Sequence, residues 1–209
     1  MKLISVLTLA CVAFEATFNM AYTSVSTTSR SSYLDPLPAY QALAERTMQE
    51  DPDFYRFEKF SRVTKNDGAL AGYPTASLFS STANAAVEGW YDRMGMSESK
   101  VFYCFDGATP LTSSLLSVRY MFSKSCKEDP NLYTLIDSEG DIYLYECKYT
   151  LPLGFWVGAD FEEQWDVDTG KPADVQNNLT SALNTEPVLV TVLDTVCLLY
   201  TSDAADDLT

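Results

Sequence analysis

The chain of 209 residues contains no histidine. That removes the commonest metal ligand and the side chain that moves protons most readily near neutrality, so a His-dependent catalytic triad is excluded. Basic residues are scarce as well: 14 Lys and Arg stand against 29 Asp and Glu, a formal net charge of −15. Nucleic-acid binding needs clustered cations to displace counterions from the phosphate backbone, so no nucleic-acid partner is expected. The five cysteines (Cys11, Cys104, Cys126, Cys147 and Cys197) form no C-x-x-C pair, and their spacing fits neither a zinc site nor a disulfide-dense scaffold. Most read as small buried apolar side chains, with one bridge among Cys104, Cys126 and Cys147 left open. Neither a metal nor a cofactor is expected.

Against these absences, 46% of the residues are hydrophobic and the mean hydropathy is −0.08, a globular balance. The apolar residues are concentrated first between Leu3 and Tyr22, a run that at 1.5 Å per residue reaches about 30 Å and just spans a bilayer core. Lys2 before it places that end in the cytoplasm and the remainder outside. A secretory signal peptide is the rival reading, but no clean Ala-x-Ala cleavage site follows. Glu15 and Asn19 lie four apart on one helical face, and polar groups at membrane depth normally face protein, which favours one helix of a larger bundle.

Residues 23–37 are rich in Ser and Thr and read as a linker. Pro38 then opens a helix over Ala39 to Glu50, with Tyr40, Leu43, Ala44, Thr47 and Met48 at helical spacing. Phe54 to Phe60 is aromatic-rich and reads as the first strand, closed by turn chemistry at Asn66, Asp67 and Gly68. Leu78, Phe79, Thr82, Ala83, Ala86, Val87, Trp90, Tyr91 and Met94 predict an amphipathic helix ended by Gly95. Trp90 and Tyr91 on that stripe read as core rather than as a sugar-stacking platform. Thr109 and Pro110 supply an N-cap and a first-turn proline for a short helix through Ser117, and Val118 to Phe122 is a strand. Tyr133–Ile136 and Ile142–Tyr145 alternate around a five-residue loop, Asp137 to Asp141, as a hairpin.

Helices alternating with strands, then a hairpin, indicate an α+β (mixed α/β) fold: helices packed on a small mixed sheet, preceded by one transmembrane helix. The expected organisation is a transmembrane helix (1–22), a linker (23–37), a truncated extracytoplasmic α+β domain (38–193) and a tail (194–209). The tail has no joined element and resembles translated adapter read-through, so it is left out of the fold.

The central stretch is Ile142 to Trp156, where two apolar runs meet at Pro152. Because proline cannot donate to a ladder, two strands are expected to meet there at a sharp connection, with Tyr145, Leu151, Leu153 and Phe155 in the core. A carboxylate between apolar strands is costly unless paired, so Glu146 is expected beside Arg56 or Arg119. Gln176 and Asn177 are placed in a polar loop that their side chains fasten to the domain, with acceptor binding as the alternative role. Asp166, Asp168 and Gly170 mimic the start of a calcium loop but lack its later ligands, and read as an acidic surface turn. Glu162 and Glu163, adjacent on a presumed strand, would point to opposite faces and cannot flank a glycosidic bond.

Several of these residues carry a resemblance. A last membrane helix with a Glu and an Asn, Tyr55-Arg56, the helix ending in Met94-Gly95, Leu115 to Tyr120, Tyr145-Glu146, Leu151-Pro152 and Gln176-Asn177 follow one another as in the outer-face domain of YfhO-type bacterial multi-spanning membrane proteins. The chain resembles that family from about Leu3 to Leu183. Two positions depart: Arg119 stands where Lys is more usual, and Cys147 where Asn is. The resemblance implies a polytopic glycosyltransferase dependent on lipid-phosphate sugars that decorates an envelope polymer such as lipoteichoic acid. Catalytic carboxylates would then sit on outer-face loops of the earlier membrane helices, so this fragment is expected to be non-catalytic. Its implied partners are the membrane, the remaining transmembrane helices of the same protein, and an envelope polymer or polyprenyl-phosphate sugar. The alternative from another class is a single-pass or secreted carbohydrate-binding protein. Arg56, Arg119, Glu146, Gln176 and Asn177 are the candidate binding residues.

Overall fold

A computed structural model describes residues 2–23, 29–168 and 170–183. The tail at 194–209 lies outside the described residues. The chain divides into two compact units, one ending at Leu37 and the other beginning at Pro38.

The first unit is dominated by α1 (Lys2–Thr23), a single helix over the apolar run. It is long and apolar enough to cross a membrane, and none of its span is buried against protein. Its threonines return their hydroxyls to the preceding turn: Thr8 to Ile4 O at 2.9 Å, Thr17 to Ala13 O at 2.7 Å and Thr23 to Asn19 O at 2.7 Å. Donors hidden in this way cost little in hydrocarbon, where an unpaired polar group is expensive. Part of the expected linker is the short helix α2 (Arg30–Leu34).

The second unit opens with α3 (Leu37–Glu50), which buries Tyr40, Leu43, Ala44 and Thr47, the spacing of one helical face. In chain order there follow β1 (Arg56–Lys59), α4 (Asp67–Ala71), β2 (Leu78–Phe79), α5 (Ala85–Arg93), β3 (Glu98–Ser99), β4 (Phe102–Tyr103), α6 (Pro110–Leu115), β5 (Val118–Ser123), β6 (Tyr133–Glu139), β7 (Ile142–Cys147), α7 (Phe161–Gln164) and α8 (Pro172–Ala182). The main sheet is mixed, in the order β1-β5-β7-β6, and a small antiparallel sheet runs β2-β4-β3. β1 and β5 are parallel, so everything between them forms their crossover.

One face of the main sheet carries Phe57, Tyr120 and Phe122. Their rings stack at 5.3 and 5.4 Å, and Tyr40 of α3 meets Phe122 edge-on at 5.1 Å. The other face packs Met121 and Tyr145 against Ala76. A second core joins Tyr91, Met94 and Met96 to Val175 and Leu179 of α8.

Several expectations give way. The stripe from Leu78 is not one helix: Leu78 and Phe79 pair with β4, and helix begins only after the cap at Asn84. Gly95 ends it as expected, at φ +77°, where a side chain would also strike Pro172. Asn66 to Gly68 start α4 rather than a turn. The hairpin loop shortens to Gly140 and Asp141, because Glu139 already pairs with Ile142. No strand follows Pro152 among the described residues. Tyr145 is core at 3% exposure, but Leu151 is only half-buried, Leu153 is 61% exposed and Phe155 40%. Glu162 and Glu163 lie in the single turn α7, not on a strand.

Candidate functional site

The second unit holds a cavity of about 480 Å³ bounded by β1, α5, β4 and the end of α6. That volume suits a small ligand. Each wall has a local cause. The register between β1 and β5 slips between Arg56 and Phe57, an irregularity that re-aims the strand's first side chain, and Arg56 lines the cavity. The partner strand β5 is preceded by Ser117, whose φ of 54° is left-handed although it is not glycine. Its carbonyl accepts from Arg56 N at 2.8 Å.

The Arg56 guanidinium donates to Leu116 O at 2.6 Å and lies over the Phe54 ring at 5.1 Å. Among the described residues no carboxylate pairs with it, although acidic residues outnumber basic ones about two to one. The opposite wall comes from α5. Asn84 caps it by accepting from Ala86 N at 2.9 Å, and Val87, Trp90 and Tyr91 follow on one face. Tyr91 is core and donates to Ala76 O; burial pushes its hydroxyl pKa up, helped by the Glu58 charge. Trp90 is only partly buried. Tyr103, 4.9 Å from Tyr91, completes an aromatic wall.

Behind the cavity, Thr75 and Ala76 are fixed by the carboxylate of Glu58, which is 2% exposed. Its Oε1 accepts from Thr75 Oγ1 at 2.5 Å, Ala76 N at 2.9 Å and Ser77 Oγ at 2.8 Å, while Oε2 faces Arg62 at 3.3 Å. Arg62 also pairs with Asp106. Next along the strand, Lys59 meets Asp67 at 3.1 Å, both buried. Burial alone would raise the Asp67 carboxyl, but the Val63 N–H, the Lys59 charge and the Thr64 N–H hold it below the ordinary carboxylate range. Burial lowers the Lys59 ammonium, and Asp67 offsets part of that. A buried charge is tolerated only when it is surrounded in this way.

The five sequence-derived residues do not converge. Arg56 alone lines the cavity. Arg119 pairs with Asp51 at 2.5 Å and Asp53 at 3.5 Å. Glu146 is exposed on β7, opposite Tyr120 and Thr134, so the expected pairing with Arg56 or Arg119 is not formed. Both arginines find other partners from segments far apart in sequence. Gln176 and Asn177 lie within α8, not in a loop. Gln176 is a buried fastener, accepting from Thr109 Oγ1 at 2.6 Å and donating to Met94 O at 2.8 Å; Asn177 is half-buried. Asp168 ion-pairs with Arg93 at 2.7 Å, and among the described residues no group of His, Cys, Asp or Glu is placed to hold a metal. Asn84 and Tyr103 line the cavity without any sequence expectation, and Trp90, read as core, lines it while packing on the second core; the N-cap pattern at Asn84 is obscured when the helix is begun at Leu78.

Among the described residues the cavity lining includes no Asp, Glu or Cys. It presents a hydrogen-bonding cation in Arg56, an amide in Asn84 and the aromatic faces of Trp90, Tyr91 and Tyr103, groups suited to holding a ligand. Comparison with family models matches residues 1–204 to the family described as bacterial membrane protein YfhO. No curated protein and no solved structure matches.

Proposed function

Since the chain belongs to the YfhO family of bacterial membrane proteins, we propose that the unit beginning at Pro38 is an extracytoplasmic accessory domain of a polytopic, glycosyltransferase-like membrane protein. It holds an envelope polymer such as lipoteichoic acid while the sugar of a polyprenyl-phosphate donor is transferred to it, with the polyprenyl phosphate leaving, at carboxylates on outer-face loops of the earlier membrane helices. The orientation rests on Lys2 at the start of an apolar span, since positive residues stay on the cytoplasmic side.

The observation that carries the reading is the cavity between Arg56 and Trp90. An aromatic face suits the C–H face of a pyranose, and a guanidinium without a carboxylate partner suits sugar hydroxyls or the phosphate of an envelope polymer. The absence of titratable carboxyls among the described lining residues supports a holding role rather than a chemical one.

The test uses full-length protein. Trp90→Ala and Arg56→Ala should lower polymer glycosylation per folded molecule about tenfold or more, with Arg56→Lys only partly restoring it because Lys lacks the planar fork. Unchanged glycosylation in both variants would remove the cavity from the reaction.

A further inference from the structure

Between β7 and α7 the chain exposes an unusual run of apolar side chains. Trp156 is 100% exposed, and Tyr149, Leu153, Phe155 and Val157 range from 40 to 63%. The base of this segment is fastened: Leu151 N donates to Ser114 O at 3.2 Å, Ser114 Oγ donates to Tyr149 O at 2.8 Å, and Thr150 Oγ1 reaches Val118 O at 3.4 Å. Its tip touches little. Contiguous exposed apolar surface of this kind marks an interaction site.

We propose that the loop from Tyr149 to Val157 is a membrane-interface anchor, inserting Trp156, Phe155 and Leu153 among lipid headgroups and upper acyl chains. Two observations select lipid as the occupant. The charge pattern is the first: Tyr149 to Gly158 carries no charged side chain in a chain of net charge −15, although exposed Glu146 and Asp160 flank it, so the tip itself has no charge to desolvate on insertion. The residue types are the second, because Trp and Tyr on a polar-backbone loop have the amphipathic rings that settle at bilayer interfaces. Insertion also accounts for apolar residues that find no place in the protein core. This inference rests on membrane residence and not on the glycosylation reading.

The test exploits the placement of the three tryptophans, Trp90, Trp156 and Trp165, none of which lies in α1. The whole chain is reconstituted in phosphatidylcholine–phosphatidylglycerol nanodiscs with or without lipids brominated near the headgroup. Brominated lipid should quench emission by up to about a third, the share of one tryptophan in three. Trp156→Ser should abolish that quenching and leave the melting temperature unchanged. Quenching that persists in Trp156→Ser, or an unquenched Trp156 open to iodide, would overturn the proposal. A Trp156 shielded from both iodide and bromolipid would also overturn it and assign the loop to protein, such as other helices of the same membrane domain.

Discussion

Gln176 of α8 donates its amide to the Met94 carbonyl at 2.8 Å, across 82 residues of sequence, and accepts from Thr109 Oγ1 at 2.6 Å with its other end. One buried side chain of α8 therefore ties the C-terminal end of α5 to the N-terminal end of α6 beside the second core. Gln176→Ala should cost about 1–3 kcal/mol, since it leaves a buried carbonyl and hydroxyl unsatisfied. Chemical denaturation gives the value. A loss of a few tenths would mean that water replaces the amide without penalty.

Burial grades the leucines around the central stretch. Leu144 is 0% exposed, so Leu144→Ala should cost about 2–5 kcal/mol. Leu151, half-buried, should cost less, and Leu153→Ala should stay within about 0.5 kcal/mol in detergent. The order of the three melting curves checks the structure in this region.

That gradient shows where sequence reading succeeded and failed. The buried stripe of α3, the Thr109–Pro110 start of α6, β5 and the glycine after α5 were legible, because each depends on neighbours within one or two turns. Leu153 and Phe155 are apolar and yet exposed, because apolarity does not specify what buries a residue. The apparent helix from Leu78 failed because its first residues obey a helical period and still pair with β4, a choice made by tertiary contact. Arg56 is among the candidates and lines the cavity, while Trp90, read as core, packs against the second core and lines that cavity as well. Arg119's partners, Asp51 and Asp53, lie 68 and 66 residues upstream, beyond any local pattern.

Acid should reveal the Lys59–Asp67 pair. The Asp67 carboxyl is held below its unfolded value, so its stabilisation is complete above about pH 4 and is lost as the pH falls through the lowered folded value. Asp67→Asn should cost about 3–5 kcal/mol near neutrality, because it leaves the Lys59 ammonium buried without its counter-charge. Between about pH 4 and pH 2 the variant should also lose less stability than the parent. Parallel pH–stability curves would show that the pair does not titrate with folding.

Thiol reactivity should follow burial. The Cys147 thiol is pushed up to about 12 by burial and by the Glu146 charge, and Cys104 is buried, whereas Cys126 is exposed. Maleimide treatment of the folded protein at pH 7, mapped by peptide mass spectrometry, should modify Cys126 and spare Cys104 and Cys147 until denaturant is added. Rapid labelling of Cys147 would contradict the packing of β7.

The exposed Cys126 also provides the most direct test of the central claim, that the unit beginning at Pro38 faces the outside. Intact bacteria expressing the full-length protein are treated with a membrane-impermeant maleimide, and the peptide carrying Cys126 is quantified against a permeabilised control. The extracytoplasmic assignment predicts equal labelling in both samples. Labelling that appears only after permeabilisation would place the domain in the cytoplasm and contradict the account.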